Sequence, residues 1–230
     1  TAVASGAAGI IASAYPDETS AQWAARLRQG AANHYPDNPD PALADKLGRG
    51  RLDVYGALSY TGPEVVLEEL LIADGNDGVP APGETLELTG TFRNLLAPTS
   101  DLRVTIELND PYLTEINSTA RALLSSLGTL ASRQNTTPFT LRVAPDAPAN
   151  YRTHIPFRLR DAGLGYDVMV YWPITLNPTL LNLQENDLAT SLNAQANWGF
   201  LSVQNRQQGL GLQYQGQQLL FEGGVMIGND

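Results

Sequence analysis

The sequence predicts a mixed fold: a short helical segment, then an antiparallel β-sandwich, then a further small β-rich segment. Three observations predict it. Residues 1–60 are rich in Ala and carry apolar residues at helical spacing. From Thr61-Gly62-Pro63 onward the pattern changes to strict alternation, the mark of strands with one wet face. From Asn177 the chain becomes rich in Gln and Asn, yet keeps short apolar runs between glycines. The expected divisions are therefore residues 1–60, 61–178 and 179–230, the last expected to be truncated.

The first segment opens TAVASGAAGIIASAYP, in which nearly every residue from Val3 to Ala14 is small or apolar. It reads as the interior of a helix, and the expectation is a piece cut from a longer protein. In the next stretch Thr19 and Gln22 have the spacing of a capping box, in which hydroxyl and amide each satisfy a free backbone N–H. Trp23, Ala24, Leu27 and Ala31 follow at helical spacing and are expected on the buried face. Residues 33–46 hold three prolines and read as a surface loop. LGRGRLDVYGALS then supplies a glycine turn and a short helix from Leu52 to Leu58.

In the second segment the inward positions are explicit. They are Leu86, Leu88 and Phe92; Leu102, Val104, Ile106 and Leu108; Phe139, Leu141 and Val143; Ile155, Phe157 and Leu159; and Val168, Val170, Trp172, Ile174 and Leu176. DGNDG, APG, DAPAN and DAGLG read as the turns between runs. Such spacing suggests a sandwich. In the third segment WGFLSV, GLGLQY and QLLFEGGVMI read as short strands and hairpins.

Composition limits the function. Hydrophobic residues make up 43% of the chain and charged residues 17%, enough apolar material for a core. The net charge is −10, concentrated after residue 60, so a nucleic-acid or anionic-membrane footprint is not expected. No apolar run approaches the ~20 residues of a membrane-spanning helix. The absence of cysteine removes disulfides, thiolate metal sites and cysteine nucleophiles. His34 and His154 are the two histidines, too few for a multi-histidine metal centre.

Three motifs in the first segment resemble the end of the catalytic domain of subtilisin-like serine proteases. Val3-Ala4-Ser5-Gly6 and the Ala/Gly run to Ile10-Ile11 resemble the tail of that family's G-T-S-x-A-x-P-x-V-A-G motif and the helix behind it. SAYPDETSAQ, with Pro16, Thr19 and Gln22, resembles its S-x-x-P-x-x-T-x-x-Q element. LGRGRLDVYGAL, with Gly48, Gly50, Asp53, Ala57 and Leu58, resembles its closing element. Ala2 departs from the usual Pro and Ser5 from the usual Ala. The resemblance implies a secreted serine endopeptidase whose nucleophilic Ser lies a few residues before Thr1, with the catalytic Asp and His earlier still. No catalytic residue is therefore expected within the chain. The implied partners are the upstream catalytic segment and, through it, protein or peptide substrates. The implied location is extracellular or the bacterial cell envelope.

APGETLELTGTFRN, with Pro82, Gly83, Glu84 and Asn94, resembles a line common in sandwich modules that follow such catalytic domains. Ser5 reads as a packed helix serine, and His34, near Asp37 and Asp40, sits in a loop too proline-rich to preorganise a base. His154 alternates with Ile155 and Phe157 and is expected to face solvent or a sheet edge. Asp74, Asn76 and Asp77 have calcium-like oxygen spacing, but without the Glu of a full calcium loop the preferred reading is a Gly-Asp turn between strands. A second function, an extracellular adhesion or carbohydrate-binding module, would use Tyr112, Trp172 or Trp198 as stacking platforms.

Overall fold

The computed structural model describes residues 2–33, 35–38, 40, 48–75, 79–117, 122–193, 197–199, 209–220 and 222–224. Among the described residues antiparallel sheets dominate, with three short α-helices ahead of them.

Helix α1 spans Ala2–Ala14, α2 Ser20–Gln29 and α3 Val54–Ser59. The capping box forms as its spacing predicts: Thr19 N donates to Gln22 Oε1 at 2.9 Å and Gln22 N to Thr19 Oγ1 at 3.4 Å. The buried face of α2 is turned from the one expected. Gln22 and Ala25 are buried, while Trp23, Ala24 and Leu27 are half-buried. The reason is the polar work of this helix. Trp23 Nε1 donates to Tyr15 O at 2.9 Å, which holds the indole at the helix margin. Helix α3 starts later than Leu52 because the Asp53 carboxylate accepts from Gly56 N at 2.9 Å and caps it. Helices α2 and α3 cross at two glycines. A Cβ on Gly30 would overlap the backbone of Ala57, and one on Gly56 the carbonyl of Gly30. Only glycine allows that approach.

Nine strands follow: β1 Val65–Ala73, β2 Thr85–Asn94, β3 Leu102–Ile106, β4 Leu113–Glu115, β5 Ala122–Ser125, β6 Ser132–Gln134, β7 Phe139–Val143, β8 Tyr151–Asp161 and β9 Tyr166–Leu176. One sheet has the order β1-β2-β7-β4, with β6 also paired to β2; the other has the order β5-β3-β8-β9. Both contribute to one apolar core. Leu86, Leu88, Phe92, Phe139, Leu141 and Val143 enter it from one sheet, and Leu102, Val104, Ile155, Phe157, Leu159, Ile174 and Leu176 from the other. These are the inward positions that alternation predicts; Leu108, Val170 and Trp172 pack at its margin. Phe157 meets Phe92 and Phe139 edge-to-face, with ring centroids 6.2 and 5.8 Å away.

Buried polar side chains tie the loops to this core. The APGE turn places Gly83 at φ 84°, and Glu84 Oε2 accepts from Ala81 N at 2.8 Å. Asn94 closes β2 fully buried; its Nδ2 lies within hydrogen-bonding reach of the carbonyls of Leu96, Ala97, Leu127 and Gly128, at 2.8–3.3 Å. Asp161, also fully buried, accepts from Ser100 N at 2.6 Å, Ser100 Oγ at 2.9 Å and Asp101 N at 3.0 Å. Burial alone would raise this carboxyl, but the donors from Ser100 and Asp101 outweigh it and hold the group below its ordinary value.

The remaining strands are β10 Leu180–Glu185, β11 Leu188–Asn193, β12 Asn197–Gly199, β13 Leu212–Tyr214, β14 Gln217–Leu220 and β15 Glu222–Gly224. They form a third sheet, β14-β13-β11-β12-β15, with β10 also paired to β11. Its tight hairpins need left-handed residues: Asn186 at φ 52° between β10 and β11, and Gln215 and Gly216 at φ 50° and 75° between β13 and β14.

Two predictions follow from the core and from Asp161. Phe157→Ala removes the ring that bridges the sheets and should cost about 3–5 kcal/mol, read from the denaturant midpoint. A carboxyl depressed on folding adds stability above its unfolded pKa of ~3.9, and that stability is lost as pH falls through the folded value. Asp161→Asn should therefore lower stability at neutral pH and flatten its fall below pH ~4, as measured by denaturant midpoints across that range.

Candidate functional site

The feature with the plainest functional meaning is the surface of α1. The helix carries no charged residue, and it rests on α2 and α3 with Ala7 and Ile11 as its buried residues. The rest of the cylinder faces outward: Val3 is 77% exposed and Ile10 51%, with Ala2, Ala4, Gly6 and Gly9 exposed beside them. A methyl group added at Gly6 or Gly9 would meet nothing within 4 Å. An uncharged helix whose polar side chains are two serine hydroxyls, Ser5 and Ser13, is a helix built for a buried position. Ser5 lies on this exposed side.

A dense polar cluster fixes α1 and α2 beneath that surface. Arg26 donates to both oxygens of Glu18, at 2.6 and 2.7 Å, and to Tyr60 O at 2.8 Å. Its guanidinium stacks 3.6 Å from the centre of the Tyr15 ring, and Tyr15 Oη donates to Leu58 O at 2.6 Å. The Glu18 hydrogen bonds raise the Arg26 pKa above its ordinary value. Arg26 thus joins α2, the turn between α1 and α2, and the exit from α3. Nearby, Glu64 is only 1% exposed and accepts from Arg28 Nε at 3.1 Å and from Gln29 Nε2. Burial, and then the Glu64 charge, push the Tyr60 phenol up to about 12, so it remains a hydrogen-bond donor at neutral pH. The Tyr166 phenol is raised for the same two reasons.

A second uncovered surface lies on the third sheet. Cross-strand partners share a face, and the register puts Leu183, Leu188, Leu192, Trp198, Leu212 and Tyr214 on one side. The opposite side carries Asn182, Ser191 and Gln213, bonded among themselves and to Leu210. Tyr214 is 48% exposed and Trp198 43%, and no large apolar side chain among the described residues of this sheet is buried. Among the described residues, no partner layer covers this alternation.

The other predicted positions fall as follows. His154 stands exposed on β8 opposite Pro173. Tyr112 packs against Tyr151 edge-to-face at 4.7 Å, and Trp172 packs at the core margin, so neither is an open platform. Asp74 follows β1, while Asn76 and Asp77 lie outside the described residues, as does His34. Among the described residues no group of three or more His, Cys, Asp or Glu is placed to hold a metal ion. Sequence reading missed Glu64, whose only signal was an acid between Pro63 and an apolar strand. It also missed the shared face of Leu183, Leu188 and Tyr214, which only the strand register reveals.

No family model matches the chain, and no curated protein matches it. Among solved structures, a crystal structure of a protein of unknown function from Porphyromonas gingivalis W83 is similar over 57% of this chain, at 11% identity and a TM-score of 0.29. The chain spans 64% of that protein's length. A likeness of that size defines neither family nor fold.

The two sides of α1 should respond differently to substitution. Ile10→Lys should shift stability by no more than about 0.5 kcal/mol. Ile11→Ala, one residue on and fully buried, should cost about 2–5 kcal/mol in the same thermal or denaturant melt.

Proposed function

We propose that this chain is the C-terminal part of a secreted subtilisin-like serine endopeptidase. Residues 1–60 close the catalytic domain, residues 61–178 form an accessory β-sandwich, and the catalytic Asp, His and Ser belong to the segment ahead of Thr1. The observation that carries the reading is the uncovered face of α1. The three motifs imply a helix that starts at the nucleophile and runs through the middle of a domain. Such a helix is expected to be uncharged on every side and built mostly of small residues, and α1 is. Its own neighbours, α2 and α3, cover only the side that holds Ala7 and Ile11.

The chemistry would be acyl transfer: serine attack on the peptide carbonyl, proton movement through histidine, and hydrolysis of the acyl-enzyme. This chain's share is positional. Helix α1 would set the direction of the nucleophile from behind, and the partial positive charge at a helix start favours the developing oxyanion. Arg26, with Glu18 and Tyr15, would hold that helix against α2.

A second reading, an extracellular binding module, is favoured by one observation: Trp198 and Tyr214 share an exposed apolar sheet face. It predicts saturable binding of cell-surface glycans by the 230-residue chain, lost in Trp198→Ala.

The protease reading is tested by expressing the chain together with the residues its gene encodes ahead of Thr1. The extended protein should be labelled by a fluorophosphonate at a serine just ahead of Thr1, and should hydrolyse casein. Ser→Ala at that position should abolish both activities, and the 230-residue chain alone should take no label. An upstream sequence without G-T-S, or an extended protein that takes no label, overturns the reading.

A further inference from the structure

We infer that residues 60–66 are a locked joint, which holds the helical segment at one fixed orientation on the β-sheets. In the sequence, Thr61-Gly62-Pro63 marks only the change from the helical to the alternating pattern. The structure closes this stretch on itself and on both sides of the junction. Tyr60 Oη donates to Pro63 O at 2.7 Å, and the tyrosine ring folds back over Gly62, where a Cβ would lie 2.6 Å from that oxygen. Any side chain at Gly62 would displace the ring. The carbonyl of Tyr60 is held by Arg26 of α2 at 2.8 Å.

Glu64 completes the joint by facing both ways. Its side chain reaches back to α2, accepting from Arg28 and Gln29. Its carbonyl reaches forward, accepting from Leu95 N at 2.7 Å just past β2. The next residue is clasped as well: Val65 N donates to Tyr166 Oη of β9 at 2.9 Å. A small apolar patch, Ala25 of α2 against Leu95 and Leu96 with Tyr60 and Val66 beside it, seals the junction from water. The apolar contact is slight, whereas the polar contacts are many, directional and shielded. Directional bonds in a dry site specify one geometry where a greasy patch would permit sliding. The carboxylate is the centre of the device because it is desolvated, while Arg28 remains partly hydrated. Within the docked arrangement, loss of Arg28 or Gln29 would leave Glu64 a buried charge short of partners.

This inference concerns the chain as it stands and does not rest on the protease reading. Under that reading the joint fixes the sandwich to the back of the catalytic domain as one rigid extension.

The chain has no native cysteine, so two can be added cleanly for spin labelling. Tyr55→Cys on α3 and Arg152→Cys on β8 are exposed positions on opposite sides of the joint. Pulsed electron–electron resonance on the doubly labelled full chain should give one narrow distance distribution. Added Glu64→Gln should broaden that distribution about twofold or more, and protease nicking near residues 60–63 should accelerate about tenfold, as in local opening. The near-UV signal of the sheets should stay in place. Tyr60→Phe, which removes only the Pro63 clasp, should broaden the distribution in the same direction and serves if Glu64→Gln does not fold. A broad distribution in the parent overturns the inference. So does a narrow one that survives whichever of the two variants folds.

Discussion

The contact of Phe157 with Phe92 and Phe139 is the constraint on which the β-region depends. Two sheets of alternating strands each have one face that water rejects, and neither is stable until the faces close on each other. Phe157 stands where they meet, edge-on to one ring from β2 and one from β7. It thereby locks β8 against two strands of the other sheet. At the rims of this core, buried polar side chains are spent on loop backbone groups.

Asn94 and Asp161 sit where strands end and loops turn over the core. Each spends a short side chain on several loop backbone groups at once, the economical answer to a rim that water cannot reach. Glu64 is the same device used between layers: its side chain serves a helix and its carbonyl serves the loop after β2. The three helices therefore belong to the β-region through hydrogen bonds more than through shared apolar surface.

Two surfaces do not follow this economy. Helix α1 is apolar on its outer side, and the third sheet turns Leu183, Leu188, Trp198 and Tyr214 outward. Apolar faces of this regularity are made to be covered. For α1 the motif resemblance supplies a reason, which the proposed endopeptidase expresses. For the third sheet the alternation is equally clear, and its polar face is already internally bonded.

The sequence by itself determined the parts with a strong local period or a local chemical signature. The long strands β2, β3, β7, β8 and β9 were legible because one residue in two faces the core over a long run. The capping box was legible because its bonds span three residues. The apolar nature of α1 was legible in composition. Strand β1 was not legible, because the register shift between Leu67 and Glu69 breaks its alternation. Strands β4 and β6 have three residues each, too short for any period to show. The calcium-like run was only a spacing, and two of its three residues fall outside what the structure describes. Tertiary structure alone decided which face of α2 is buried, that Tyr60-Thr61-Gly62-Pro63 is a clasped joint, and that Glu64 is buried among donors. Those facts depend on residues tens of positions apart in the chain, Glu64 with Arg28 and Val65 with Tyr166, and a one-dimensional pattern has no term for such pairs.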